Sequence, residues 1–249
     1  NLSALWMVLA NRFAPPAYAT GMFGLGLVLL LFYSHFVLGE RVTAANYTGA
    51  ALIVVGTALF AVHAVALPQP VSARLDPRIV AFFAVGYLGL SGLAAIVTTR
   101  KPEPLRLALA FGLFTGGAAS LDPVLKAVGH TAGGEATILP SATWGWIPFA
   151  LSFVLGTVSF LSVQYAFLRK ADASAMIPVQ TSTYVLVPMV VQILALPGYR
   201  ASMLLAYGVV LIIAGIVLTQ RKRAGVPAPA ASHSTDSPTM PVRRNQEVP

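Results

Sequence analysis

Long apolar runs alternate with short polar interruptions along this chain, and the runs set its elements. They occupy residues 16–38, 45–66, 78–98, 105–127, 145–168, 173–196 and 201–220. About 20 apolar residues suffice to cross a hydrocarbon core roughly 30 Å thick. Backbone groups in lipid must bond within their own segment, so each run is predicted to be a helix. The ten-residue alternating segments of a transmembrane barrel do not occur. The interruptions are short and carry turn or charged residues: Arg12, Gly39-Glu40-Arg41, Pro68-Gln69-Pro70, Arg100-Lys101-Pro102 and Pro197-Gly198. One longer connection, 128–143, is Gly-rich and nearly uncharged. Residues 1–12 read as the end of a helix, so the chain is expected to be a fragment lacking its N-terminal helices. Residues 224–249 hold Pro, Ala, Ser and Thr without apolar periodicity, and are predicted to form a disordered tail.

Part of the pattern is said twice. Shifted by 159 positions without a gap, Gly39 falls on Gly198, Arg41 on Arg200, Gly49 on Gly208, Leu52 on Leu211, Ile53 on Ile212, Gly56 on Gly215 and Leu59 on Leu218. Each copy is a Gly/Arg turn followed by an apolar run with two glycines seven residues apart. Such self-similarity marks a duplicated unit. Five predicted crossings separate Gly39 from Gly198. An odd number puts the two turns on opposite faces of the membrane, so the units are expected to be inverted, the architecture of many secondary transporters.

Composition agrees with a membrane chain: 57% of residues are hydrophobic and only 10% charged, against about 25% charged in soluble domains. Mean hydropathy is +0.77. With no cysteine, disulfides, thiolate metal sites and Cys nucleophiles are excluded. The net charge of +8 does not point to nucleic acid, because no basic face is interleaved with stacking aromatics. Its distribution instead gives an orientation. Arg41, Arg100, Lys101, Arg106, Arg169, Lys170, Arg221, Lys222 and Arg223 lie on the side of the C-terminal tail, facing Arg12, Arg74, Arg78, Lys126 and Arg200. The positive-inside rule places the richer side, and the C-terminus, in the cytoplasm.

Leu38-Gly39-Glu40 and the run with Gly49 and Gly56 resemble the end of an EamA-type repeat of the drug/metabolite transporter (DMT) superfamily. Ala14-Pro15-Pro16-Ala17 is similar to the opening of the preceding helix in that family, and Ala171-Asp172-Ala173-Ser174 leading to Pro178 to the same start in its second repeat. The second copy, Pro197-Gly198-Tyr199, has no Glu after its Gly. The resemblance covers the chain up to residue 223. It implies a polytopic transmembrane bundle of inverted five-helix repeats, here from a partial third helix through the tenth. It also implies that residues 1–66 are the remainder of the first repeat, 67–77 a linker, 78–223 the second repeat and 224–249 a cytoplasmic tail. Gln164-Tyr165 with residues 171–184 also resembles the NIPA-type magnesium transporters.

Within the runs, the residues that could bind a substrate are few. Asp122 and Lys126 lie four apart, on one helix face, with Pro123 between them inviting a kink. Ionisable groups in a bilayer usually face a bundle interior or a wet cavity. The pair is therefore either a charged cavity wall, with Asp122 a proton site, or an end pair with Lys126 snorkelling to the interface. Asp122 lies about 24 Å along the helix from Arg106, in the half remote from the tail. Gln180 and Tyr184 share a face near the middle of 173–196, one turn ahead of Pro188. They read either as a midplane binding belt or as interhelical hydrogen-bonding groups. Gln164 completes the candidate substrate-binding set. Ser152, Ser159 and Ser162 line one face and are expected to pack. Gly112 with Gly116, and Gly86, Gly89 and Gly92, are expected to be packing seams. Trp144 and Trp146 fit an interfacial belt, and His35, His63 and Glu40 read as structural.

No HExxH, GxSxG or Walker loop is present, so no catalytic role, cofactor or metal site is expected. The expectation is an inner-membrane secondary transporter of a small polar metabolite or cation. Its partners are the substrate, the lipid bilayer and a coupling proton or cation, with a homodimer compatible. The alternative is a non-transporting receptor or scaffold, which needs larger structured loops than these.

Overall fold

The computed structural model describes residues 9, 16–37, 43–66, 74–100, 102–133 and 139–220. The Gly39-Glu40-Arg41 turn, the prolines at 68 and 70, Arg12, Lys101, Arg221-Lys222-Arg223 and the tail 224–249 lie outside the described residues. The described part is all-α: α1 (Pro16–Gly21), α2 (Phe23–Phe36), α3 (Ala44–Ala66), α4 (Pro77–Arg100), α5 (Pro104–His130), α6 (Trp146–Leu168), α7 (Ala173–Ala195) and α8 (Met203–Gln220), with a 3-10 turn, Thr143–Gly145, leading into α6. Six segments are long and apolar enough to cross a bilayer, α1 and α2 together forming the first. This is the architecture of a multi-pass membrane bundle. The last predicted run is shorter than expected, because Ser202 begins α8: its carbonyl accepts from Leu205 and Ala206 and its hydroxyl from Leu205. The apolar stretch left, Met203–Thr219, lies at the lower end of what spans a membrane.

Helix starts follow local chemistry. Thr43 and Asn46 cap α3 reciprocally, Asn46 Oδ1 accepting from the Thr43 N–H at 3.0 Å. Asp172 caps α7, its Oδ1 accepting from the Ser174 N–H at 2.9 Å. Pro123, Pro178 and Pro188 sit inside continuous helices. Pro188 has no N–H to give the carbonyl of Tyr184 four residues back, which leaves that oxygen without its helical donor.

Small residues decide how the helices meet, as expected where lipid leaves packing as the main attraction. On α3, a Cβ at Gly49 would lie 2.7 Å from the Gly215 carbonyl and one at Gly56 2.6 Å from the Gly208 carbonyl. On α8, a Cβ at Gly208 would lie 3.0 Å from the Gly56 carbonyl and one at Gly215 2.5 Å from the Gly49 carbonyl. Ile53 and Ile212, each 0% exposed, fill the space between these crossings. The order of contacts makes α3 and α8 antiparallel. Asn46 Nδ2 donates to the Thr219 carbonyl at 2.7 Å at one end, and His63 Nδ1 meets Ser202 Oγ at 2.8 Å at the other.

A second group forms around α5. Gly112 and Gly116 bring α7 alongside in parallel, against the backbone of Met176 and Gln180 respectively. Ser159 on α6 donates to the Thr115 carbonyl at 2.9 Å, and Gly129 packs on Gly145, so α6 runs antiparallel to α5. Ser152 is buried and bonds within its own helix, to Phe149. The α4 helix runs antiparallel to α5, with Tyr87 over Gly117 and its hydroxyl donating to the Leu113 carbonyl. The seam expected on α4 is only partly there. Gly92 meets Phe114, but Gly86 and Gly89 have nothing within 4 Å. Glycine spacing marks a face and does not say whether that face turns inward.

Candidate functional site

The most enclosed helix carries the charges. Inside α5, 72% of the residues of its apolar window are buried, against 17% in α4 and 39% in α7. One turn separates Asp122 from Lys126, and the ammonium is ion-paired to Asp122 Oδ1. The Lys126 side chain is 2% exposed and that of Asp122 25%. Lys126 Nζ also lies 4.5 Å from the centre of the Phe153 ring on α6. It is therefore held within the bundle by a carboxylate and a π face, and does not reach the surface. Removing two charges from water costs about as much as their attraction returns, so the pair is not explained by stability alone.

Tyr184 on α7 lies within electrostatic range of Asp122, and its ring lies 5.1 Å from that of Phe23 on α2. Asp122, Lys126, Tyr184, Phe153 and Phe23 thus draw together four helices, α2, α5, α6 and α7. The Tyr184 carbonyl freed by Pro188 adds an acceptor on that helix. No family model, curated protein or solved structure matches this chain. What the site can do is read from its own groups.

Gln180 lies one turn before Tyr184 on the same side of α7, half-buried, with its carbonyl against Gly116. Gln164 is exposed near the other end of α6, eleven residues from Phe153, or roughly 16 Å along the axis. Its neighbour Tyr165 packs on Phe111 and under Arg169 instead. Trp144 and Trp146 are both 47% exposed beside the start of α6. Among the described residues, no three His, Asp or Glu side chains gather to hold a metal ion.

Phe153 and Phe23 are the site residues that sequence reasoning missed. Aromatic residues occur throughout these runs, and nothing local separates one facing a charge from one facing lipid. The assembled groups are one buried ammonium, one partly accessible carboxylate, a phenol and two aromatic faces.

Proposed function

We propose that this chain is a secondary membrane transporter of the drug/metabolite, EamA-like type, moving a small polar metabolite or cation by alternating access. The observation that carries the reading is the Asp122–Lys126 pair, enclosed in the central helix with Tyr184 beside it. A substrate with a charged or strongly polar group would compete for one member of the pair and rest on the aromatic rings. Asp122, the more exposed partner, would meet a coupling proton or cation. The charge distribution supports an inner-membrane location with the C-terminus in the cytoplasm.

The seam between α3 and α8 supports the inverted-repeat part of the proposal. Under the 159-residue offset Gly49 corresponds to Gly208 and Gly56 to Gly215. Exchanging the two helices therefore exchanges the contact of Gly49 with Gly215 for that of Gly208 with Gly56, and returns Ile53 with Ile212 to itself. A two-fold axis in the membrane plane relates inverted repeats in this way.

The test is a thermal-stability screen of the complete protein in detergent against amino acids, purines, amines, sugars and Mg²⁺. A ligand at 100 times its dissociation constant stabilises by about 2.7 kcal/mol. At least one class should stabilise the protein, and Asp122→Asn or Tyr184→Ala should abolish that shift. A silent panel over an intact fold would favour the scaffold alternative.

A further inference from the structure

At the turn from α6 to α7, a lysine holds a backbone conformation that suits glycine. The turn closes α6 with the two bonds of a Schellman motif. The Lys170 N–H donates to the Phe167 carbonyl at 2.9 Å, and the Ala171 N–H to the Ala166 carbonyl at 3.0 Å. This places Lys170 in left-handed backbone, with φ 63°, the only non-glycine at positive φ among the described residues. Any side chain with a Cβ is disfavoured there. At the turn after α7 the chain does use glycine, Gly198 having φ 74°. The first turn thus carries a charge where glycine would fold more easily. The neighbouring cation is already oriented. Arg169 Cζ lies 5.2 Å from the centre of the Tyr165 ring, and that ring lies 5.8 Å from Phe111 on α5. A guanidinium lying over a ring keeps its edge N–H groups for an anion.

A third cation comes to the same end of the bundle. The Asp172 N–H donates to the Pro104 carbonyl at 3.2 Å, which docks the turn onto the start of α5, four residues from Arg100 at the end of α4. Ala95, Leu107, Ala166 and Ala171 share one buried cluster beneath. Arg100, Arg169 and Lys170 are exposed, and none is ion-paired to a described carboxylate. The nearby acids are engaged elsewhere: Glu103 pairs with Arg106 at 2.7 Å, and Asp172 caps α7. Beside the cations, Leu161 and Leu168 on α6 and Ile96 and Val97 on α4 are each more than half exposed. We propose that Arg100, Arg169 and Lys170 form a site for the headgroup of an anionic phospholipid. Its phosphate would meet the guanidinium and ammonium groups, and its acyl chains would lie along the exposed apolar residues. Those apolar residues favour a lipid over a free phosphate. The charge distribution also assigns this end to the cytoplasm, the leaflet side where anionic lipids attract basic residues. The site is separate from the Asp122–Lys126 pair, and the inference holds whether or not the chain is a transporter.

The test is lipid binding to the full chain in neutral detergent, read as adducts retained in native mass spectrometry. Dioleoylphosphatidylglycerol should bind more tightly than dioleoylphosphatidylcholine. Each cation near an anionic headgroup is worth about fivefold in affinity, so Arg169→Ala and Lys170→Gly should each weaken phosphatidylglycerol binding by that factor. Lys170→Gly is the sharper variant, because it relieves the left-handed backbone. Without lipid its melting temperature should rise by about 2 °C, while its affinity for phosphatidylglycerol falls. A lysine with only a structural role would not show the fall. Arg200→Ala, beyond the other end of α7, should leave binding unchanged. Equal binding of the two lipids, undiminished affinity in Arg169→Ala or Lys170→Gly, or an equal loss in Arg200→Ala would overturn the proposal. So would thermal stabilisation by glycerol phosphate that matches stabilisation by phosphatidylglycerol, which would make the ligand a soluble anion.

Discussion

The α3–α8 seam and the α5–α6–α7 group use the same device to different ends. In both, glycine lets one backbone lie against another: Gly49, Gly56, Gly208 and Gly215 in the first, Gly112 and Gly116 in the second. The seam fills the rest of its interface with Ile53, Ile212, Val209 and Ile216, and keeps polar bonds for its two ends. The α5 group places a lysine, a carboxylate and a tyrosine inside. Close backbone packing thus settles which helices pair, while the side chains beside it settle whether the interface is purely apolar or encloses charge.

The largest expected effect breaks the seam. Gly56→Leu would drive a side chain into the Gly208 carbonyl, 2.6 Å from the first added carbon, and overpacking against backbone exceeds the usual range of about 1–3 kcal/mol. Loss of the folded, monodisperse species on size exclusion is the expected outcome. Gly26→Ala, with nothing within 4 Å, should leave the elution profile unchanged. Asp122→Ala comes next. It strands the buried Lys126, for which about 3 kcal/mol is expected, the low end of the range for breaking a buried pair because Asp122 is partly exposed. The double variant Asp122→Leu/Lys126→Met should recover most of that loss in a thermal melt. Equal losses in single and double variants would mean that the pair is not coupled.

Smaller effects sharpen the contrast. Asp172→Ala removes the cap of α7 and should cost about 1 kcal/mol, seen as faster proteolysis near Ser174 and a lower melting temperature. Gly86→Ala should move the other way, gaining up to about 1 kcal/mol of helix propensity because no neighbour blocks its Cβ. A destabilised Gly86→Ala variant would instead show that α4 packs on a second copy of the chain.

The helices were legible because bilayer-length apolar runs leave little choice of structure, and the Asp122–Lys126 pairing because four residues on a helix bring two side chains together. Which glycines pack was not legible. Gly86 and Gly89 are spaced three apart, much like the four-residue spacing of Gly112 and Gly116, and only the neighbouring helices tell them apart. Gln164 looked like a companion of the other polar candidates because sequence reveals a residue's face and not its height relative to another helix. The His63–Ser202 contact spans 139 residues, a distance over which no local pattern speaks.

The native chain has no cysteine, so single introduced thiols report access directly. Tyr184→Cys and Ile53→Cys, each in the full-length protein in sealed vesicles, should be treated with a membrane-impermeant thiol reagent from either side. An alternating-access site predicts that the thiol at 184 reacts from both sides and that the thiol at 53, buried in the seam, reacts from neither. If the thiol at 184 is as inert as that at 53 in folded protein, the α5–α7 group is packing alone and the transporter reading is contradicted.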